Sequence, residues 1–287
     1  MDKIEEVQPW VERANALFGQ REVESAEQLY ERALRHCPDH QEALMGLGLI
    51  YVATGRGPLY LRRIQQLQRE YPASSGPYRV IVTILRISGH VQVGKNYLTS
   101  LLDKSPAKVE PIIRLSLAEV LASLGEHEEL RTELQMLANL PVTEPLSHAL
   151  LLMEIADGPG LQQLAQKVER QSLHLTIQGM SAEARGDLGA AAQLYYDASN
   201  APEATWVCLN ALAAMWLNSG NLAACRGYLD KAEAAAPNNS EIQITRARYL
   251  AARGDKEDAR ALLKQITDVN GNFIRIKKLA TGLLRRL

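Results

Sequence analysis

In QEALMGLGLIYVATGRGPLYLRRIQQLQREYP, residues 41–72, apolar side chains recur at spacings of three and four on both sides of a glycine. Leu44, Leu47, Gly48 and Tyr51 make one stripe, and Tyr60, Ile64 and Leu67 make a second. That spacing is the period of an α-helix with one buried face. The stretch therefore predicts a helical hairpin that turns at Gly55 and stops before Pro72. Glycine ends a helix readily because it enters the left-handed backbone region without a Cβ penalty. Proline ends the second helix because it has no N–H to continue it.

The hairpin repeats. Pro38, Pro72 and Pro106 are 34 residues apart twice in succession, Gly55 and Gly89 keep the same interval, and so do Gly186, Gly220 and Gly254. A fixed period of this length is the mark of a repeat array. The pattern resembles the tetratricopeptide repeat (TPR) family, whose unit carries Leu-Gly and Tyr in its first helix and Ala, an aromatic and Ala before a terminal Pro in its second. SAEQLYERALRHCP supplies Ala26, Tyr30, Ala33 and Pro38 for the second half, and Leu47, Gly48 and Tyr51 supply the first. Further copies lie at GDLGAAAQLYYDAS, GNLAACRGYLDKAEAAAP and GDKEDARALLKQI.

The resemblance implies an all-α, right-handed superhelical helical-repeat (TPR-like) solenoid of about eight hairpins. The expected divisions are repeats over 1–142, an irregular helical pair over 143–171, repeats over 172–271 and a capping helix over 272–287. The middle departs from the pattern because the fifth unit is short and its turn reads Asp157-Gly158-Pro159-Gly160.

Composition fits closely packed helices: 46% of residues are apolar and 5% aromatic, with two Phe, and the apolar share is mostly Ala and Leu. A formal net charge of −1 argues against nucleic acid or an anionic membrane as partner of the whole chain. The acidic start MDKIEEVQPW lacks a secretory pattern and no apolar run is long enough to span a bilayer, so a cytoplasmic location is expected. Three scattered cysteines do not make a disulfide framework or a thiolate zinc site. The six histidines lack ligand spacing, so no cofactor or metal is expected.

One segment imitates a nucleotide enzyme. Gly89, Gly94 and Lys95 in SGHVQVGKNY hold the G-x-x-x-x-G-K spacing of a phosphate-binding loop. Asn96 stands where that loop needs Ser or Thr for magnesium, and Gly89 falls one period after Gly55, at a hairpin turn. The repeat explains both glycines, and a nucleotide-binding enzyme through Gly89–Lys95 is the alternative set aside.

In TPR proteins the first helices line a concave groove that holds an extended peptide or a helix of a partner protein. Transferred to this chain, the groove residues are Val11, Asn15 and Phe18, then Met45, Leu49 and Val52, then Arg79, Thr83 and Arg86. Such an apolar strip ending in two arginines suits apolar anchors beside a carboxylate. The clamp that grips heat-shock chaperone C-termini is matched only at Asn15, while Val11, Gly46, Gly76 and Val80 depart from it, which disfavours that partner. The resemblance implies a non-catalytic scaffold or adaptor with no small-molecule substrate; work as a chaperone or assembly factor of a bacterial complex is one form of it.

Charge is banded: residues 55–95 hold Arg56, Arg62, Arg63, Arg69, Arg79, Arg86 and Lys95 against one acid, Glu70. The closing segment NFIRIKKLATGLLRRL has Phe273, Ile274, Ile276, Leu279, Leu283 and Leu284 as its apolar set, and is expected to cap the array in preference to lying on a membrane.

Overall fold

The computed structural model describes residues 3–237, 239–268 and 274–287. Phe273 and the side chain of Ile274 lie outside the described residues. Among those described, seventeen α-helices and no strand are found. The first hairpins are α1 (Lys3–Gly19) with α2 (Val23–His36), α3 (Gln41–Ala53) with α4 (Gly57–Glu70) and α5 (Gly76–Ile87) with α6 (Val91–Leu102). Next come α7 (Glu110–Leu124) with α8 (His127–Leu137), α9 (Pro145–Glu154) with α10 (Gly158–Ala165) and α11 (Gln171–Ala184) with α12 (Leu188–Asn200). The chain continues with α13 (Trp206–Asn218) and α14 (Leu222–Ala235), then α15 (Ser240–Arg253) and α16 (Lys256–Asp268), and then α17 (Ile274–Leu284).

Each hairpin turns through one residue in the left-handed region. Gly55, Gly89, Gly125, Gly186, Gly220 and Gly254 hold φ between 72° and 99° at six of the turns. The first and fifth use Arg21 (φ 65°) and Ala156 (φ 52°) instead. In the fifth hairpin the turn residue is thus Ala156, one place before the Asp-Gly-Pro-Gly stretch read from sequence as the turn. Asp157 caps α10 by accepting from the Gly160 N–H at 2.9 Å, and Gly158, Pro159 and Gly160 form the first turn of that helix. A left-handed backbone strains a residue with a Cβ by roughly 1–2 kcal/mol. Ala156→Gly is therefore expected to raise the urea midpoint, with a net gain of about 0.5–1 kcal/mol once the looser unfolded chain is counted.

The chain forms two compact units, one ending at Val120 and one starting at Leu121, so the division falls inside α7. In the first unit α2 packs on both α1 and α3, α4 on α3 and α5, and first helices also touch one another, α3 against α5. The second unit repeats this, with α12 on α11 and α13, α14 on α13 and α15, and α13 against α15. Serial packing of this kind lets every helix bury its apolar stripe against neighbours about one period away.

Three buried tyrosine rings pack directly against helical glycines. Tyr30, Tyr60 and Tyr195 are at most 1% exposed. A Cβ added to Gly48 would lie 2.9 Å from the Tyr60 ring, and one on Gly179 would lie 2.6 Å from Tyr195 Cε1. Gly46 meets the Tyr30 ring in the same way. The Tyr60 hydroxyl donates to the Leu44 carbonyl at 2.7 Å, and that of Tyr195 to Glu183 at 2.7 Å, so each buried phenol has an acceptor.

At the other end, Ile276 and Ala280 of α17 are buried against Ile244, Leu263 and Ile266 of α15 and α16, with Leu283 and Leu284 packed alongside. Arg275 anchors this helix: its Nε donates to Glu154 of α9 at 2.8 Å and its Nη2 to Glu241 of α15 at 2.6 Å. The Glu154 side chain is 1% exposed.

Candidate functional site

The first-helix residues of the amino-terminal unit divide by surroundings. Val11 is fully buried, so it belongs to the core and is unavailable to a partner. The sequence reading placed it on the open face because a register error of one residue rotates a helix position by about 100°. Asn15 is exposed and its amide donates to Glu42 Oε1 of α3 at 2.6 Å while its carbonyl accepts from the Tyr30 hydroxyl at 2.5 Å. Phe18, Met45, Leu49 and Val52 are half-buried. Val52 borders an apolar hollow of about 550 Å³ with Pro58, Leu61, Ile84 and Val93, which places it at the seam between two hairpins.

Arg79, Thr83 and Arg86 share one face of α5, being spaced four and three apart, and are half-buried. The arginines are already engaged. Arg79 Nη2 reaches Glu119 Oε1 at 2.6 Å and Arg86 Nη1 reaches Glu119 Oε2 at 2.9 Å, each taking one carboxylate oxygen. Glu119, on α7, is 5% exposed. Burial pushes its carboxyl up, but the two guanidiniums together outweigh that and hold it below the usual carboxylate range. Burial in turn lowers Arg86, against the pull of Glu119. The carboxylate expected from a partner is supplied from within the chain.

Sequence reasoning missed Glu119 because its partners lie 33 and 40 residues away, about one period. The same interval recurs: Arg63 pairs with Glu31 at 3.4 Å, Arg170 with Glu203 at 3.2 Å and Arg275 with Glu241. Arg56 joins Glu27 through two hydrogen bonds at 3.0 and 2.6 Å. The apparent basic band over 55–95 is thus largely matched by acids of neighbouring hairpins and is not a free cationic surface.

The Gly89–Lys95 segment is a hairpin turn followed by helix. Gly89 has φ 80° and the Gly94 N–H donates to the His90 carbonyl at 3.1 Å inside the start of α6. Gly94 is buried, with ordinary contacts to Leu85 and Val120. The Gly89 and His90 amides are likewise taken, by the Arg86 and Leu85 carbonyls that close α5, so the glycines serve the hairpin turn and the helix. Among the described residues no cluster of His, Cys, Asp and Glu is arranged to hold a metal, and no helix is long and apolar enough to cross a membrane.

Two segments match the family model described as tetratricopeptide repeat: residues 11–59 and residues 217–283. No curated protein matches the sequence. The fold is similar to a tetratricopeptide repeat protein from Parabacteroides merdae ATCC 43184, with TM-score 0.51 and 17% identity over 98% of each chain. It is also similar to a chain of the Cut9–Hcn1 hetero-tetramer of APC/C, with TM-score 0.52 and 14% identity over 96% of this chain and 54% of that one. The two family matches place tetratricopeptide repeats near both ends of the chain, and the serial hairpins between them continue the same helical-repeat fold.

Proposed function

We propose that this tetratricopeptide repeat chain is a non-catalytic scaffold, an adaptor that holds a segment of another protein against the first helices of its amino-terminal unit. One observation carries the reading: α3 is apolar on two faces. Ala43, Leu44, Leu47 and Ile50 fill the core, while Met45 and Leu49, four residues apart, stay half-buried on another side. A helix needs only one apolar stripe to pack. The second stripe offers apolar anchors with Phe18 and Thr83 on adjacent first helices and Asn15 at the polar margin. Arg79 and Arg86 shape this surface by fixing α5 to α7 through Glu119, and do not themselves reach for the partner. A preformed stack loses less ordering entropy on binding than a mobile receptor does. Action in the cytoplasm, as a chaperone or assembly factor for a larger complex, fits this reading.

The test is site-specific photo-crosslinking in the native host. A photoreactive amino acid at Leu49 is expected to yield a discrete partner adduct, and one at exposed Arg62 of α4 is not. Leu49→Ala should weaken the captured complex by about thirtyfold, as for a packed anchor, with unchanged helicity. Equal adducts from both positions, or none from Leu49, would reject the groove.

A further inference from the structure

The irregular fifth hairpin borders an open cavity that the scaffold reading leaves unused. Its helices α9 and α10 have 10 and 8 residues, against 14 and 13 in the following pair. They are too short to fill the space beside α8, and a cavity of about 480 Å³ remains, walled by Leu134, Leu152, Ile155 and Leu164. That volume lies within the range of small-molecule sites.

Several polar side chains line it. His148 lines the cavity, is 7% exposed, and has no side-chain hydrogen-bond partner among the described residues. Burial and then the nearby Lys167 push its pKa down to about 4, so the ring is neutral near pH 7 and offers one donor and one acceptor. A neutral imidazole with no internal partner at the wall of an open cavity is free to bond to an occupant of that cavity. Arg131 and Lys167 supply positive charge at the wall, Lys167 also donating to the Ala138 carbonyl at 2.7 Å. The single acid, Asp157, is turned to capping Gly160.

We propose that this cavity binds a small organic anion with an apolar body, its charged group beside Arg131 and Lys167 and a polar atom hydrogen-bonded to His148. The site is independent of the partner groove, and a small-molecule ligand is one the sequence reading did not expect.

The probe is 8-anilinonaphthalene-1-sulfonate, an apolar body carrying one anion, compared with its uncharged analogue N-phenyl-1-naphthylamine on the natively folded full chain. Saturable fluorescence with one sulfonate probe per chain is expected, and at least tenfold weaker binding of the neutral analogue. Arg131→Ser, at an exposed position of α8, should weaken the sulfonate about tenfold and leave the neutral probe unchanged, as loss of one charge-assisted contact implies. His148→Phe should weaken both probes, and Gln163→Trp, which projects into the cavity from an exposed site on α10, should abolish both. No saturable binding to the wild-type chain overturns the proposal. So does equal affinity for the two probes, or an Arg131→Ser variant that binds the sulfonate as wild type does. The last two readings stand even if His148→Phe or Gln163→Trp fails to fold.

Discussion

Glu119→Ala is expected to destabilise the protein by about 3–5 kcal/mol, because removing one side of a buried ion pair leaves charge without compensation. Here two guanidiniums on one face of α5, 15% and 18% exposed, would be left beside each other once the carboxylate between them is gone. Urea denaturation of the purified chain reads this directly. Arg79→Ala should cost less, since Arg86 remains to pair with the carboxylate. The sign of the pH dependence follows from the lowered carboxyl pKa. A carboxylate depressed below its ordinary 4.5 adds stability that is fully present above that value and is lost as pH falls through its folded pKa. As pH falls below about 4.5 the wild type should therefore lose stability faster than Glu119→Gln, whose neutral amide cannot titrate. A Glu119→Ala chain with wild-type stability at pH 7 would mean that the triad contributes no net stabilisation.

The second large effect is expected at the Tyr195–Gly179 contact. Tyr195→Ala should cost about 3–5 kcal/mol, the range for emptying a buried aromatic site. Gly179→Ala should cost about 1–3 kcal/mol, because the added methyl overpacks a rigid ring. This loss is net of the roughly 1 kcal/mol that alanine gains over glycine within a helix. In the Tyr195→Ala background the ring is absent, so Gly179→Ala should become neutral or stabilising. A double-mutant cycle measures the reversal. An identical cost in both backgrounds would show that the glycine is there for some reason other than the tyrosine.

How far the sequence could be read depends on which residues report their own geometry. Gly55, Gly89 and Gly220 announce left-handed turns because few other residues tolerate that backbone, and their even spacing places the hairpins. Ala156 gives no such signal. It takes the left-handed turn while the conspicuous Asp157-Gly158-Pro159-Gly160 beside it opens a helix, so the fifth turn was read one residue late. Face assignment was weaker still. Met45 and Leu49 have the partial exposure that a groove residue needs, but Val11 is core, and the residues of one helix say little about which way the next hairpin will be placed. Glu119 was invisible for the same reason: nothing local to it names Arg79 and Arg86 as partners. The cavity at His148 arises from two short helices, a deficit of chain that composition and motifs do not express.

The link from Arg275 to Glu154 differs from the period-spaced pairs in its reach, 121 residues of chain. Contacts about one period apart can form as soon as neighbouring hairpins meet, so such an array can begin folding at any point and spread outward. Closing a span of 121 residues by itself would carry a large entropic penalty. The penalty vanishes once hairpins five to eight are stacked, because the stack then brings α9 and α17 together. α17 can dock on its neighbours α15 and α16 early, so it is the Arg275–Glu154 pair that is expected to close last in the carboxy-terminal unit. Until it closes the Glu154 carboxylate lacks its guanidinium, and a chain stalled at that stage is marked by an unneutralised acid on α9.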